Sequence, residues 1–469
     1  MQFFNRYDDE YISNIICNLI METRYEDLPP QVLDFAQRHI LDTIGAIIGG
    51  SAMEGITSIA DFVKEQGGRP DSNIPLFGGK APASMCAFVL GPAARAADLG
   101  DCHEEAGHSA EYTLPALMAA TGLRPRISGR EFLLSFVLGQ EILIRLGHAY
   151  HCVSREQNAG SQGGHYIFGP VIAVAKLLGL TFKQLRSALG MAKCMTQPYD
   201  MSMYTPANIM VSLHHGFIAQ DAVNICLLAE KDLIGQYTRI FSGHRGYFSL
   251  FSRPDNEIDL DLLTVQMGEK WKMTETTLKP YPACNCTHTS IKGILEQMER
   301  YHFLHSDIDR IDLDESQINW TIVSQPYDIK WNPRSAGECQ FSLPYTVAAA
   351  ACKGSFFLDA YSEEARTNQD IRELMLKIFA REDRALPPYS ARVTTTLKDG
   401  VIRSGKYLAV KGHPKDPFSL DELILKFKSC ASYSLHKLDE STVDTVIERI
   451  VCLDKVKDVV KEIILPLTP

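Results

Sequence analysis

The stretch ADLGDCHEEAGHS, Ala97 to Ser109, gathers Asp98, Asp101, His103, Glu104, Glu105 and His108 between the apolar runs MCAFVLGPAARAA and TLPALMAA. A loop dense in titratable groups and flanked by buried helices stands naturally at a cleft wall. Burial and neighbouring charge there tune pKa values for proton transfer. A solvated loop between helices is the plainer alternative.

Three further segments hold polar residues that a helical core would not otherwise tolerate. In Lys279-Pro280-Tyr281-Pro282-Ala283-Cys284-Asn285-Cys286-Thr287-His288 two prolines fix the backbone and aim Lys279, while His288 opens the helix SIKGILEQMER. A lysine held rigidly there is placed to neutralise a substrate carboxylate. Cys284, Cys286 and His288 also invite a metal reading, but their alternating spacing with no fourth ligand nearby is poor for a closed zinc site. The segment NPRSAGECQFSLPY leads into the apolar run TVAAAA and puts Tyr345 in a first helical turn, where its hydroxyl faces a cleft or its ring simply packs. The stretch from Asn158 to Gly169 carries His165 among glycines, and a lone histidine is more often structural than catalytic. His148 and His151 have a spacing that metal ligands share with many accidental pairs, and the adjacent His214 and His215 point apart on a helix and form no site by themselves.

The elements that must position these residues fall into two kinds. From about Asp8 to Leu250 apolar residues recur at helical spacing, as in VLDFAQRHILDTIGAIIGG, REFLLSFVLGQEILIRLGHAYH, FGPVIAVAKLLGL and HHGFIAQDAVNICLLAEKDL. Pro29-Pro30, Ser128-Gly129 and Gly179 mark their ends, and their abundant Ala and Gly let axes approach closely. After Lys270 the stretches IDRIDLDESQINWTIVSQPYDIKW and YSARVTTTLKDGVIRSGKYLAVKG turn β-branched and aromatic, with a hairpin signal at Asp399-Gly400. ECQFSLPYTVAAAACKG and NQDIRELMLKIFARE read as helices between these strands. The expected fold is mainly α: a helical domain built from residues 1–273 and 411–469, plus a smaller α+β lid domain over 274–410.

At 469 residues the chain is long enough for two or three cores, and 45% apolar with 22% charged residues is an ordinary globular composition. A net charge of −10 with no basic block argues against nucleic acid, and requires an anionic substrate to be held by a local cluster of donors. The start MQFFNRYDDEY lacks the features of a signal peptide, the twelve cysteines are irregularly spaced, and no uninterrupted apolar run reaches membrane-spanning length. A cytoplasmic, reduced protein without a membrane partner is the expectation. No P-loop, dinucleotide fingerprint or nucleophile elbow occurs, so chemistry without a bound cofactor is expected.

These residues resemble the MmgE/PrpD family, which includes 2-methylcitrate dehydratases, cis-aconitate decarboxylases and iminodisuccinate epimerases. The resemblance runs from LDTIGAIIGG through FVLGQEILIRLGHA and KLLGLT to NPRSAGECQFSLPY and the C-terminal helices. It implies a large helical domain with an α+β lid, and a homodimer. The family's Asp followed ten residues later by His falls on Asp98 and His108, its junction lysine on Lys279, a later histidine on His288, and the tyrosine of the dehydratase and decarboxylase branches on Tyr345. Two positions depart. A family histidine before the LLG-ending helix falls on Gly160, with His165 five residues later, and a Lys-Pro-x-His segment is replaced by Thr205-Pro206-Ala207-Asn208.

What the resemblance implies is proton transfer beside a carboxylate of a small di- or tricarboxylic acid, with the missing cation making a three-carboxylate substrate less favourable. His108, whose ordinary pKa of about 6.5 allows both forms, would be the acid or base, with Asp98 orienting or charging it. Lys279 would stabilise the developing anion and Tyr345 supply a second proton. His103, His165, Thr205 and His288 would line the substrate. Dehydration is the first expectation and epimerisation the second, with decarboxylation or a catalytically silent metabolite-binding protein as further alternatives.

Overall fold

The computed structural model describes residues 9–154, 161–162, 164–197, 199–200, 203–251 and 260–469. The helical periodicity becomes helices at Pro30–Gly50, Ala83–Ala96, Gly129–Ser154, Phe168–Leu178 and Met210–Glu230. Pro30 opens the first of these, where its missing N–H costs nothing. Ser128 and Glu131 cap the third reciprocally: the Ser128 amide donates to Glu131 Oε2 at 2.8 Å and the Glu131 amide donates to Ser128 Oγ at 3.3 Å.

Small residues set how closely these helices meet. A Cβ on Gly91 would stand 2.7 Å from the Gly216 nitrogen, and one on Gly216 would stand 2.7 Å from the Phe88 carbonyl oxygen, so helices Ala83–Ala96 and Met210–Glu230 cross backbone to backbone. Within Gly129–Ser154, the stretch Gly129–Tyr150 is long and apolar enough on average to cross a membrane, although no unbroken apolar run of that length exists. Its most apolar window is 89% buried inside the fold, so its surface is taken up by neighbouring helices.

The C-terminal segment returns to this first core. Leu423 and Phe427 of helix Leu420–Ala431, Val446 and Ile450 of helix Glu440–Val451, and Ile463 are buried with Ile40, Ile44 and Ile47. A polar pin accompanies the apolar contact: Lys426 Nζ donates to Asp42 Oδ1 at 2.6 Å and to the Leu99 carbonyl at 2.9 Å. Both charged side chains are buried, so each is the other's replacement for water.

A second core lies around a four-stranded sheet ordered Ile402–Tyr407, Ala391–Leu397, Ile308–Glu315, Ile378–Glu382. The first two pairings are antiparallel, with Tyr407 opposite Ala391 and Leu313 opposite Val393; the last is parallel, with Leu313 opposite Ala380. Asp399 and Gly400 form the turn of the expected hairpin, closed by Leu397 and Val401 at 2.8 Å. Helices His288–Tyr301 and Leu343–Lys353 pack on the sheet through Ile291, Ile294 and Val347. The protein is therefore mainly α with a smaller α+β part.

Two local expectations are corrected. SQINWTIVS continues the first β-rich stretch in composition, yet it folds as a helical turn at Gln317–Asn319 followed by a wide turn at Trp320–Ser324. The strand stops because Asn319 donates back to Glu315 Oε2 at 2.8 Å, a spacing of four that a helical turn satisfies and a strand cannot. NQDIRELMLKIFARE is helical only over Gln369–Met375; IFARE leaves the helix and becomes the edge strand beside Ile308–Glu315.

Replacing Lys426 by Met leaves Asp42 buried without its cation, and is expected to cost about 3–5 kcal/mol in denaturant unfolding. The double replacement Asp42→Asn with Lys426→Met is expected to recover most of that loss, and a single variant of unchanged stability would show that the pin holds nothing.

Candidate functional site

Helix Ala83–Ala96 ends by placing Asp98 in the left-handed region, at φ 46°, with its amide donating to the Arg95 carbonyl at 2.9 Å. Aspartate tolerates this conformation better than most side chains, and it turns the carboxyl back over the helix end. Immediately afterwards, Asp101–Cys102 pairs antiparallel with Thr277–Leu278, and the Lys279 amide donates to the Gly100 carbonyl at 3.0 Å. That short ladder carries Lys279 onto Asp98. Lys279 Nζ and Arg95 Nη1 both donate to Asp98 Oδ1, and all three side chains are at most 1% exposed. Burial alone would raise the Asp98 pKa; Arg95 and Lys279 outweigh it and hold the carboxyl well below the usual range.

His108 stands beside this trio. Its Nδ1 lies 2.6 Å from the Asp101 carbonyl oxygen, which can only accept, so Nδ1 carries the hydrogen and Nε2 keeps a lone pair. Burial, reinforced by Arg95 and Lys279, lowers its pKa to about 3. The ring, 17% exposed, is thus neutral at physiological pH and presents Nε2 as an acceptor, although the same shift makes it a weaker base than an ordinary imidazole. Asp101 fixes this loop from below: Oδ2 accepts from the amides of Ser109 at 2.9 Å and Ala110 at 3.1 Å, at the start of helix Ala110–Ala120, with His39 Nε2 at 3.4 Å.

Behind His108 sits Glu111, fully buried. Its Oε2 is 3.6 Å from Arg95 Nε, 3.5 Å from His215 Nε2 and 3.8 Å from His108 Nδ1. Burial, with Asp101 and Asp98 acting in the same direction, raises its pKa to about 8 against the pull of Arg95 and Lys279, so it is mostly a neutral acid at pH 7. The His215 ring stacks on Tyr112 with centroids 3.8 Å apart, while His214 Nδ1 meets the Tyr112 hydroxyl at 3.0 Å. The two adjacent histidines do point apart, and one of them faces Glu111.

The structure brings Asp98, His108 and Lys279 together where the two cores meet. His288 joins them through a shared acceptor: its Nε2 donates to the Ala283 carbonyl at 3.0 Å, which Lys279 Nζ approaches at 3.4 Å, and burial lowers its pKa to about 3. Tyr345 is placed otherwise. It is buried in the second core and its hydroxyl donates to the Ala360 carbonyl at 2.5 Å, which engages the proton expected for catalysis. His103 is buried in the tight turn to Gly107, where its Nδ1 accepts from the Glu105 amide at 3.2 Å. His165 lies against the same turn, its Nε2 3.2 Å from the Ala106 carbonyl oxygen. Thr205 is half-buried just before Ala207 and Asn208, and Gly160 lies outside the described residues. His148 pairs with Glu105. Cys284 and Cys286 sit close enough for a thiol–thiol hydrogen bond, and no metal-binding group of three His, Cys, Asp or Glu occurs among the described residues.

Arg95, Asp101, Glu111 and His215 were not singled out as site residues from the sequence. The available signal was a lone charge inside an apolar helical run: Arg95 in MCAFVLGPAARAA and Glu111 just before TLPALMAA. A cavity of about 330 Å³ lies at the same seam but beyond the Arg95–Ala96 turn, lined by Ala96, Asn208, Ser212, Ser335, Gln340 and Phe341 among others. Asp98, His108 and Lys279 do not line it. The packed charge cluster, with its convergent polar groups, is the better candidate for chemistry, and the cavity for access.

An MmgE/PrpD N-terminal domain matches residues 14–259 and an MmgE/PrpD C-terminal domain matches residues 281–451. The chain belongs to the MmgE/PrpD family. Similar proteins include the cis-aconitate decarboxylase of Mus musculus, 25% identical over 462 residues that cover 94% of this chain and 90% of that one. The Homo sapiens cis-aconitate decarboxylase is 26% identical, covering 92% and 89%, and one from Aspergillus terreus is 22% identical, covering 96% and 94%. The likeness to each spans nearly the whole chain.

The buried histidines make acid stability a direct test of this electrostatic picture. His103, His108, His214 and His288 have pKa values of about 4, 3, 4 and 3 in the fold. The unfolded chain protonates them below about pH 6.5, so it binds more protons than the folded one and stability falls as pH drops, by up to about 1.4 kcal/mol per pH unit for each. Glu111 and Glu315, both raised to about 8, act in the opposite sense, their contribution being full below about pH 4.5 and lost as pH rises through 8. Asp42, Glu141 and Asp221 are raised in the same sense, so the histidine contribution is read by difference: between pH 6 and 4.5 the wild type should lose more stability than His214→Gln, by up to about 2 kcal/mol. A variant whose thermal midpoint follows pH as the wild type's does in scanning calorimetry would contradict the neutral assignment.

Proposed function

We propose that this MmgE/PrpD protein is a cofactor-independent, homodimeric lyase that moves a proton at a carbon beside a carboxylate of a small di- or tricarboxylic acid. The observation that carries the reading is the buried trio of Arg95, Asp98 and Lys279 with the neutral His108 beside it. His108 Nε2 takes the proton, because Nδ1 is committed to the Asp101 carbonyl. The electron pair left on carbon delocalises into the adjacent carboxylate, and Lys279 and Arg95 supply fixed positive charge to the resulting anion in a site of low polarity. Asp98 holds both cations in place and leaves the trio one net positive charge for the substrate.

From that anion, loss of hydroxide from the neighbouring carbon, leaving as water once protonated, makes the reaction a dehydration. Decarboxylation is an alternative to the proton removal and not its sequel: the bond to a carboxylate breaks, carbon dioxide leaves, the electron pair stays on substrate carbon as an anion steadied by the same cations, and that carbon takes up a proton. The named relatives support decarboxylation, which thereby moves ahead of the dehydration that the family resemblance put first. Because Lys279 is fully buried, substrate enters when the seam between the two cores opens, and the 330 Å³ cavity beside Ala96 is the approach in this reading.

The test is a panel of small unsaturated and hydroxylated di- and tricarboxylic acids, followed for carbon dioxide release, for alkene absorbance, and for uptake of deuterium from heavy water. His108→Ala is expected to lower turnover by about 10²–10⁴-fold with an unchanged thermal midpoint. A His108→Ala protein with near-normal turnover would show that the proton is handled elsewhere. Absence of exchange and of product across the panel in the wild type would leave a binding protein.

A further inference from the structure

A catalytic anion site gains from positive charge and loses from any extra negative charge beside it. Glu111 is therefore conspicuous: a carboxyl group placed against the same Arg95 that steadies Asp98, with no exposure to solvent. Neither of its oxygens receives a hydrogen bond among the described residues, although three nitrogens stand within 3.5–3.8 Å. An ionised carboxylate would draw the Arg95 guanidinium into hydrogen-bonding range, whereas Arg95 Nε stays 3.6 Å away and the guanidinium gives its hydrogen bond to Asp98. The loop packs closely over it, and only glycine fits at position 100: a Cβ there would stand 2.6 Å from Oε1.

We propose that Glu111 is a positioning residue of this site, a carboxyl group kept protonated behind His108 so that the positive charge of Arg95 and Lys279 remains directed at Asp98 and at the substrate. The inference rests on the proton-transfer reading of the site. When Glu111 ionises, it adds a buried negative charge beside Arg95, weakens the field that stabilises the substrate anion, and draws Arg95 off Asp98. The groups that face it are Arg95 from helix Ala83–Ala96, Asp98 and Asp101 from the loop, His108 preceding its own helix, His215 from helix Met210–Glu230, and Lys279 from the lid side. Its raised pKa, with burial as the main cause, agrees with the geometry and puts the transition at mildly alkaline pH. Activity should then fall as pH rises through about 8, by about tenfold for each pH unit beyond the transition.

Glu111→Gln tests this, because an amide copies the protonated acid and cannot ionise. The expected result is near-normal turnover at pH 7 with the alkaline fall removed or shifted upward. Infrared difference spectroscopy of the whole protein supplies a readout independent of turnover. A protonated-carboxyl band present at pH 7 and lost by pH 9.5 should be weaker in Glu111→Gln, with Glu315→Gln as the control for the other raised glutamate. A Glu111→Gln protein with the wild-type pH profile, or one folded but inactive at every pH, would overturn the proposal. So would an infrared spectrum indistinguishable from wild type at pH 7. If the band behaves as expected while no variant nor the wild type turns over any acid, the proton-transfer reading fails and the protonated Glu111 stands.

Discussion

Placing Arg95, Asp98 and Lys279 together out of water is the constraint around which the rest of this molecule is arranged. An ionised group in such a place is tolerable only when its partners are fixed, since several kcal/mol of lost hydration must be replaced for each charge. Arg95 and Asp98 come from one helix end, whereas Lys279 arrives from a segment 181 residues away. The two-residue ladder at Asp101–Cys102 is what makes that distance irrelevant. The C-terminal helix contributes as well, through Lys426 on the Leu99 carbonyl, so the last third of the chain steadies a loop formed in the first quarter. A small apolar contact of Ala97, Leu99, Leu358 and Cys430 seals the same loop against both cores.

The charges around the trio follow from it. Burial, reinforced by Lys279 and at His108 also by Arg95, depresses the pKa of His108 and His288 and keeps both rings neutral, and the surrounding carboxylates divide by environment. Asp98 and Asp101 have close donors and stay ionised; Glu111 has none close enough and stays protonated. Three acidic groups within one shell thus hold different protonation states, which is the arrangement expected where one site must both steady an anion and accept a proton.

Much of this was legible in the sequence, for identifiable reasons. Helices such as Gly129–Ser154 announce themselves because their apolar residues must face neighbours every third or fourth position. Asp98, His108 and Lys279 stand out because polar residues between apolar runs need a reason to be there. The converse cases were hidden. Arg95 and Glu111 sit inside helices where a single charge reads as an exception, and His215 is recognisable only once Tyr112 and Glu111 are seen to face it. Tyr345 shows the limit of position alone, since its hydroxyl is taken by a carbonyl fifteen residues away that no spacing rule reveals. SQINWTIVS misled because β-branched and aromatic composition says nothing of the Asn319-to-Glu315 bond that bends the chain.

The central claim is that Asp98 and Lys279 act as one unit across the seam. A double-mutant cycle with Asp98→Asn and Lys279→Met, read by denaturant unfolding, measures that directly; asparagine is chosen because it keeps the left-handed backbone while removing the charge. The account predicts a coupling of about 1–3 kcal/mol, each single variant being destabilised and the pair costing much less than their sum. Additivity within about 0.5 kcal/mol would contradict it, because the two groups would then be neighbours without being partners.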